Sequence, residues 1–335
     1  ITQLAFAAGF SSVRRFNAAF EESYHLSPSV IRRTASSAMD QGEQSLVLGL
    51  AYRPPYAWQA LLAYLKGRAM PGLEYVDEER YLRSVRLDGC SGWISVSHKP
   101  EKNQLMVEIA SSLLPVLMPL LSRVRRQFDV EAHPCMIASH LEQDSLLAAQ
   151  IAKTPGLRVP SAFEPFELAI RAILGQQVSV AGATTISGRL VERFGDLMNP
   201  PHPQLSYHFP SPQKLAQADI GQLAQLGMPQ SRATTLKDFA MFAANGGLEF
   251  PANASLDEVV SRLKSVKGIG EWTAQYIAMR ALRFSNAFPA GDLGLQKAAA
   301  IFPETRCKEK DLLQGSQAWA PWRAYAALLL WQSLS

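Results

Sequence analysis

The feature that most constrains the fold of this chain is the point at which its strand-like segments stop. SLVLGLAY, EERYLRSVRL, GWISVSHK and NQLMVEIA all fall between residues 45 and 110, and each is bounded by turn-forming or polar residues. Two amphipathic stretches, YAWQALLAYLKGRA and LLPVLMPLLSRVRRQF, accompany them. Runs of strands with two helices predict an antiparallel sheet that carries helices on one side. From Leu141 onward strand signals nearly vanish, and helical segments are broken only by NPPHPQLSYHFPSP and GMPQS. The predicted fold class is therefore α+β: a small N-terminal helical piece at 1–33, a linker at 34–44, an α+β domain at 45–135, and an all-helical domain at 136–335. A chain of 335 residues with 47% hydrophobic content can bury two or three such cores.

Composition narrows the chemistry. A formal charge of +4 suits a polyanionic partner, but so small an excess predicts local basic patches and not a polybasic tail. Cys90, Cys135 and Cys307 are scattered without paired spacing, which points to a reducing, cytoplasmic setting. His133, Cys135 and His140 read as loop and surface residues and not as a metal site, and no apolar run is long enough to span a membrane.

The stretch from Val266 to Asp292 carries the chemistry. Gly268 and Gly270 flank Ile269 in VKGIG, at the start of a helix. Glycines there can take positive φ and let a phosphate approach amides that the helix leaves unpaired. A bare GIG is also a common helix cap. Trp272, Tyr276 and Met279 then recur at helical spacing, so the helix predicted from Glu271 to about Arg283 has an aromatic, apolar face, which would ordinarily be core. Asp292 heads the next apolar stretch, LGLQKAAAIF, where a carboxylate commonly caps a helix; a cap also holds a carboxylate rigid for catalysis.

Hairpin, WTAQYIAMRAL and the following aspartate resemble the helix-hairpin-helix base-excision glycosylases, and most closely the AlkA-type 3-methyladenine DNA glycosylases. The resemblance extends from about Ser45 to the C-terminus: AYRPPYAWQALLAYLKGRAMPG is similar to the start of that family's N-terminal domain, FEPFELAIRAILGQQVSVAGA to its first long glycosylase helix, and WAPWRAYAALLLW to its closing helix. It implies a DNA N-glycosylase that flips alkylated bases of the 3-methyladenine and 7-methylguanine type out of duplex DNA. The catalytic carboxylate would be Asp292. Trp272, Tyr276, Trp322, Tyr64 and Leu293 would form the base pocket, and the amides of Val266, Gly268 and Gly270 would hold a phosphate. Gln177 would stand where relatives wedge a leucine into the gap, and Leu293 and Gly294 would make the pocket wider or less stacked where some relatives carry an aromatic and a leucine. The resemblance further implies a monomer associated with the nucleoid and no cofactor; the four-cysteine cluster that some hairpin glycosylases carry is absent, so no iron-sulfur centre is expected, and a monovalent cation at the hairpin carbonyls is left open. Relatives that also cut the backbone carry a lysine two residues after the last hairpin glycine. Trp272 stands there, which implies base release without lyase action, while Lys267 reads as a backbone-contacting or solvated charge. A non-catalytic damage sensor or regulator of the adaptive response is the alternative.

ITQLAFAAGFSSVRRFNAAFEESYHLSPSVIRR resembles the second helix-turn-helix of AraC-type regulators, with Ser11, Ser12, Arg14 and Arg15 at the start of its recognition helix. A three-helix packing unit without DNA fits equally. The combination is similar to Ada-type regulators fused to a glycosylase, and Ile1 would then fall inside a longer chain.

Overall fold

A computed structural model describes residues 11–24, 27–29, 45–300 and 306–334. The expected linker at 34–44 and the first ten residues of the expected helix-turn-helix lie outside them. Helix α1 (Val13–Tyr24) precedes a five-stranded antiparallel sheet made of β1 (Ser45–Ala51), β2 (Glu74–Val76), β3 (Arg80–Leu87), β4 (Cys90–Lys99) and β5 (Gln104–Ala110). Spatially the strands run β1-β5-β4-β3-β2. The turn between β3 and β4 is Asp88-Gly89 with φ of 47° and 82°, the two positive values that a tight two-residue hairpin requires. α2 (Trp58–Lys66) follows β1, and α3 (Leu117–Gln127) follows β5. Their apolar faces, including Trp58, Leu61, Leu120 and Val124, pack on the sheet face that carries Leu48, Leu50, Ile94, Val96 and Val107. Of the five strands of this sheet, only β2 escaped the sequence reading; three residues are too few to show alternation.

The helical part comprises α4 (Pro134–Leu141), α5 (Ser145–Lys153), α6 (Pro165–Leu174) and α7 (Val180–Phe194), then α8 (Pro212–Gln217), α9 (Ile220–Ala224) and α10 (Gln230–Ala244). It continues through α11 (Leu256–Lys264), α12 (Glu271–Arg280), α13 (Leu293–Ala298), α14 (Glu309–Gly315) and α15 (Arg323–Gln332). Ala169 and Ile173 of α6, Leu236 and Phe239 of α10, Ile277 of α12, Leu295 of α13 and Ala327 of α15 meet in its core. No helix among the described residues is long and apolar enough to cross a membrane.

Two sequence expectations need correction. The C-terminal part is not all-helical, because NPPHPQLSYH forms a hairpin of β6 (Asp196–His202) and β7 (Leu205–His208). Its prolines and histidines concealed the alternation. Met198 and Leu205 pack with Leu82 and Trp93 of the sheet, and the Ser84 hydroxyl donates to the Tyr207 carbonyl at 2.6 Å. Arg83 reaches from β3 to Glu167 of α6 at 2.8 Å, both side chains buried. The two parts of the chain are thereby joined through polar as well as apolar contacts.

Second, FEPFELAIRAILGQQVSVAGA is two helices and not one. α6 ends at Leu174, Gln177 takes a left-handed φ of 55°, and the Ser179 side chain accepts from the Gly182 amide at 3.1 Å to start α7. A side-chain cap satisfies a free amide and favours a new helix start over continuation. The break leaves Gln177 exposed and Gln176 half-buried beside it.

Candidate active site

α11, the turn that follows it and α12 form a helix-hairpin-helix. Ser255 and Glu258 start α11 with a reciprocal capping box. Ile269 is buried in the helical core and anchors the turn from within. Gly268 has φ 91°, and a Cβ there would lie 2.1 Å from the Thr235 hydroxyl of α10, so no other residue fits without displacement. Gly270 is extended at φ −88°, caps α12 and has open space around it. The expectation of positive φ therefore holds for one glycine only. Val266 is also a poorer phosphate donor than the sequence suggested, because its amide already donates to the Leu263 carbonyl at 3.2 Å. Open amides thus concentrate at Gly268, Gly270 and the first turn of α12. Of the carbonyls considered for a monovalent cation, that of Val266 accepts from Ile269 at 3.1 Å and that of Gly268 from Gln176 at 3.0 Å.

α12 ends at Arg280 rather than near Arg283, where a left-handed φ of 65° closes the turn. Its face divides. Met279 is fully buried in the core, whereas Trp272 and Tyr276 are half-buried and stack at 5.5 Å between centroids, 20° apart in plane. Both line a cavity of about 1240 Å³ that also reaches Asp292, Gln177 and Tyr64.

Asp292 heads α13 as its N-cap, with Oδ1 accepting from the Leu295 amide at 3.0 Å. The Trp331 indole N–H donates to the same oxygen at 2.9 Å, and the Trp272 indole N–H donates to Oδ2 at 3.0 Å. A carboxylate offers about four lone-pair directions. Three are therefore taken, and the spare one is on Oδ2. The carboxylate cannot turn without breaking a charge-assisted hydrogen bond, each worth about 1.5–3 kcal/mol. Trp272 is more than a stacking surface.

Trp331 was missed by sequence reasoning, which chose Trp322 on the same closing segment. Trp322 instead lines a separate cavity of about 230 Å³ and meets Tyr325 edge-on at 5.9 Å. The eight residues between the two tryptophans turn α15 so that only the later one faces Asp292. Gly294 makes room for it: a Cβ there would lie 2.9 Å from Asp292 Oδ1 and 3.3 Å from the Trp331 ring. The widening inferred from Gly294 is thus filled by Trp331. Leu293 is 57% exposed at the cavity edge.

Deeper in the cavity Tyr64, brought by α2, meets Tyr276 through Arg280. The Arg280 guanidinium is buried and donates to both hydroxyls, to Tyr276 at 3.0 Å, and to the Pro160 carbonyl. Arg68 lies over the Tyr64 ring at 3.7 Å from its centroid. Burial pushes the Tyr64 hydroxyl up to about 12, with Arg280 opposing it. Burial also acts to raise Tyr276, but Arg280, Arg68 and the Tyr64 hydroxyl together bring it below the ordinary tyrosine value. No signal in the sequence marked Arg280, since WTAQYIAMRALR shows only a basic residue near a helix end.

Residues 47–164 match the AlkA N-terminal domain, and residues 170–320 match the HhH-GPD superfamily of base excision DNA repair proteins. A Mycobacterium tuberculosis protein described as a probable bifunctional transcriptional activator/DNA repair enzyme AlkA is 35% identical over 99% of this chain, which spans 66% of that relative's length. DNA-3-methyladenine glycosylase 2 of Escherichia coli is 32% identical over 84% of this chain and 95% of its own length. Among solved structures, a 3-methyladenine DNA glycosylase from Archaeoglobus fulgidus superposes with a TM-score of 0.71 at 20% identity, covering 85% of this chain and 97% of that one, a likeness of fold. Two domains in the family's order, together with a relative covered almost end to end, decide the assignment: the chain belongs to the AlkA-type 3-methyladenine DNA glycosylases of the helix-hairpin-helix base-excision repair superfamily.

Proposed function

We propose that the chain is a monofunctional N-glycosylase that releases alkylated bases, of the 3-methyladenine and 7-methylguanine type, from duplex DNA. The observation that carries this reading is Asp292, held by two indole N–H groups and a backbone amide in a cavity beside the hairpin. No lysine lines that cavity among the described residues, so the amine needed for a Schiff base with the sugar is missing from it. The open amides at Gly268, Gly270 and the start of α12 hold a phosphate of the lesion strand, and Gln177 stands at the gap left by the flipped base. As the glycosidic bond breaks, positive charge develops on the sugar. The fixed carboxylate stabilises it without having to reorganise, and Oδ2 presents its spare lone pair to C1′ or to the incoming water. Trp272, Tyr276 and Trp331 offer ring surface to the extruded base.

Base release is measured by chromatography of products from methylated duplex DNA. Asp292→Asn is expected to lower the single-turnover rate by on the order of 10²–10³ with DNA binding retained. Unchanged release in that variant would remove Asp292 from its role. Borohydride trapping of a covalent adduct would instead mean lyase chemistry.

For the N-terminal segment we propose a partial AraC-type helix-turn-helix. In its support, Ser12 caps α1 by accepting from the Arg15 amide at 3.2 Å, Arg14 and Arg15 are exposed, and Phe16 is buried. Arg14→Ala/Arg15→Ala should weaken binding to undamaged duplex in a mobility-shift titration and leave base release intact.

A further inference from the structure

We infer that Gln176 is the positioning residue that ties the gap-filling loop to the phosphate-holding hairpin, so that gripping the phosphate and filling the gap occur together. The inference rests on the glycosylase reading and extends it to a residue that touches no reacting atom.

Gln176 lies between the end of α6 and the start of α7, next to Gln177. Its side-chain amide donates to the Gly268 carbonyl at 3.0 Å and to the Thr273 hydroxyl at 3.0 Å. One side chain thereby spans the turn of the hairpin and the first turn of α12. From the other side, its own backbone carbonyl accepts from the Arg232 guanidinium of α10, and α10 also supplies the Thr235 hydroxyl packed against Gly268. Loop, hairpin and α10 therefore meet at this residue. Gln177, by contrast, is exposed at φ 55° and lines the cavity. Adjacent glutamines thus divide the work: one anchors while its neighbour is free to insert.

The chemistry selects an amide. Both partners contacted by the Gln176 amide nitrogen act as acceptors, and a carboxylate has nothing to donate. Gln176→Glu keeps the size but sets oxygen against the Gly268 carbonyl, and Gln176→Met keeps the length with no donor. Each leaves the hairpin intact while freeing the loop from it.

The test uses the full chain and a duplex in which 2-aminopurine faces a tetrahydrofuran abasic-site analogue, so that fluorescence reports gap filling without any base being released. Gln177→Ala is expected to lower the fluorescence change on binding. Gln176→Glu and Gln176→Met are expected to lower it as much, and adding Gln177→Ala to either should change it by less than about twofold, because coupled residues are not additive. Single-turnover release from 7-methylguanine DNA should fall about tenfold in the Gln176 variants, at the upper end of what losing a half-exposed hydrogen-bonding side chain costs. A full fluorescence change in Gln176→Met, or losses that multiply between positions 176 and 177, would overturn the inference. Should the Gln176 variants fail to fold, Thr273→Val removes one of the two acceptors, and it must show the same non-additivity with Gln177→Ala for the inference to stand. A wild type that fills the gap but releases no base would overturn the glycosylase reading and leave this one in place.

Discussion

At the scale of single residues, the site is organised around what Asp292 accepts. Two tryptophans far apart in sequence each lend an N–H to one carboxylate. Trp331→Phe and Trp272→Phe keep a ring but delete the donor, and each should lower single-turnover base release about tenfold, the effect of losing one hydrogen bond to a charged group. Gly294→Ala should act in the same direction through the Trp331 ring, which a Cβ would approach to 3.3 Å. If Trp331→Phe releases base at the wild-type rate, the indole N–H has no part in holding the carboxylate. The sequence marked Asp292 and Trp272 because a capping position and a hairpin offset are local patterns. Trp331 carried no such mark, since α15 offers several apolar and aromatic residues and only its packing orientation selects one of them.

At the scale of elements, the hairpin distinguishes its two glycines. Gly268 is left-handed at φ 91° and pressed against Thr235, whereas Gly270 is extended with nothing within 4 Å of a built Cβ. Gly268→Ala should therefore destabilise the fold by about 1–2 kcal/mol from backbone conformation alone, with the Thr235 clash in addition. It should also weaken binding to DNA. Gly270→Ala should leave the thermal midpoint unchanged and weaken only binding, most visibly at low salt, where a phosphate contact matters most. Thermal denaturation beside a salt titration of duplex affinity separates the two, and equal midpoints for both variants would contradict the role given to Gly268. GIG alone could not distinguish its glycines, because what separates them is a threonine on α10, 33 residues upstream of Gly268.

At the scale of the whole molecule, the β6–β7 hairpin ties the helical part to the sheet, and its chemistry makes the fold acid-sensitive. His208 of β7 is 4% exposed, shares a 2.7 Å hydrogen bond with the Ser91 hydroxyl, and leaves Nδ1 unpartnered. Burial, aided by the Arg86 charge, lowers its pKa from 6.5 to about 4. The folded form therefore refuses a proton that the unfolded chain accepts. Stability from this group is complete above pH 6.5 and is lost as pH falls toward 4. Comparing thermal midpoints at pH 7 and pH 4.5 should show a smaller drop for His208→Gln than for the wild type; equal drops would mean that His208 titrates normally in the fold.

Periodicity, capping residues and turn glycines are properties of neighbouring residues, and they sufficed for the α+β order, the hairpin, Asp292 and Trp272. They also misjudged what neighbours cannot encode. NPPHPQLSYH forms strands because the sheet offers it Leu82 and Trp93, and the break after Leu174 turns Gln176 toward a hairpin carbonyl 92 positions away. The choice of Trp331 over Trp322, the buried Arg280 between two tyrosines, and the space that Gly294 leaves were decided only when distant segments packed. Local free energy selects elements, whereas the direction in which a side chain points across a core is set by the partners that the tertiary structure brings to it.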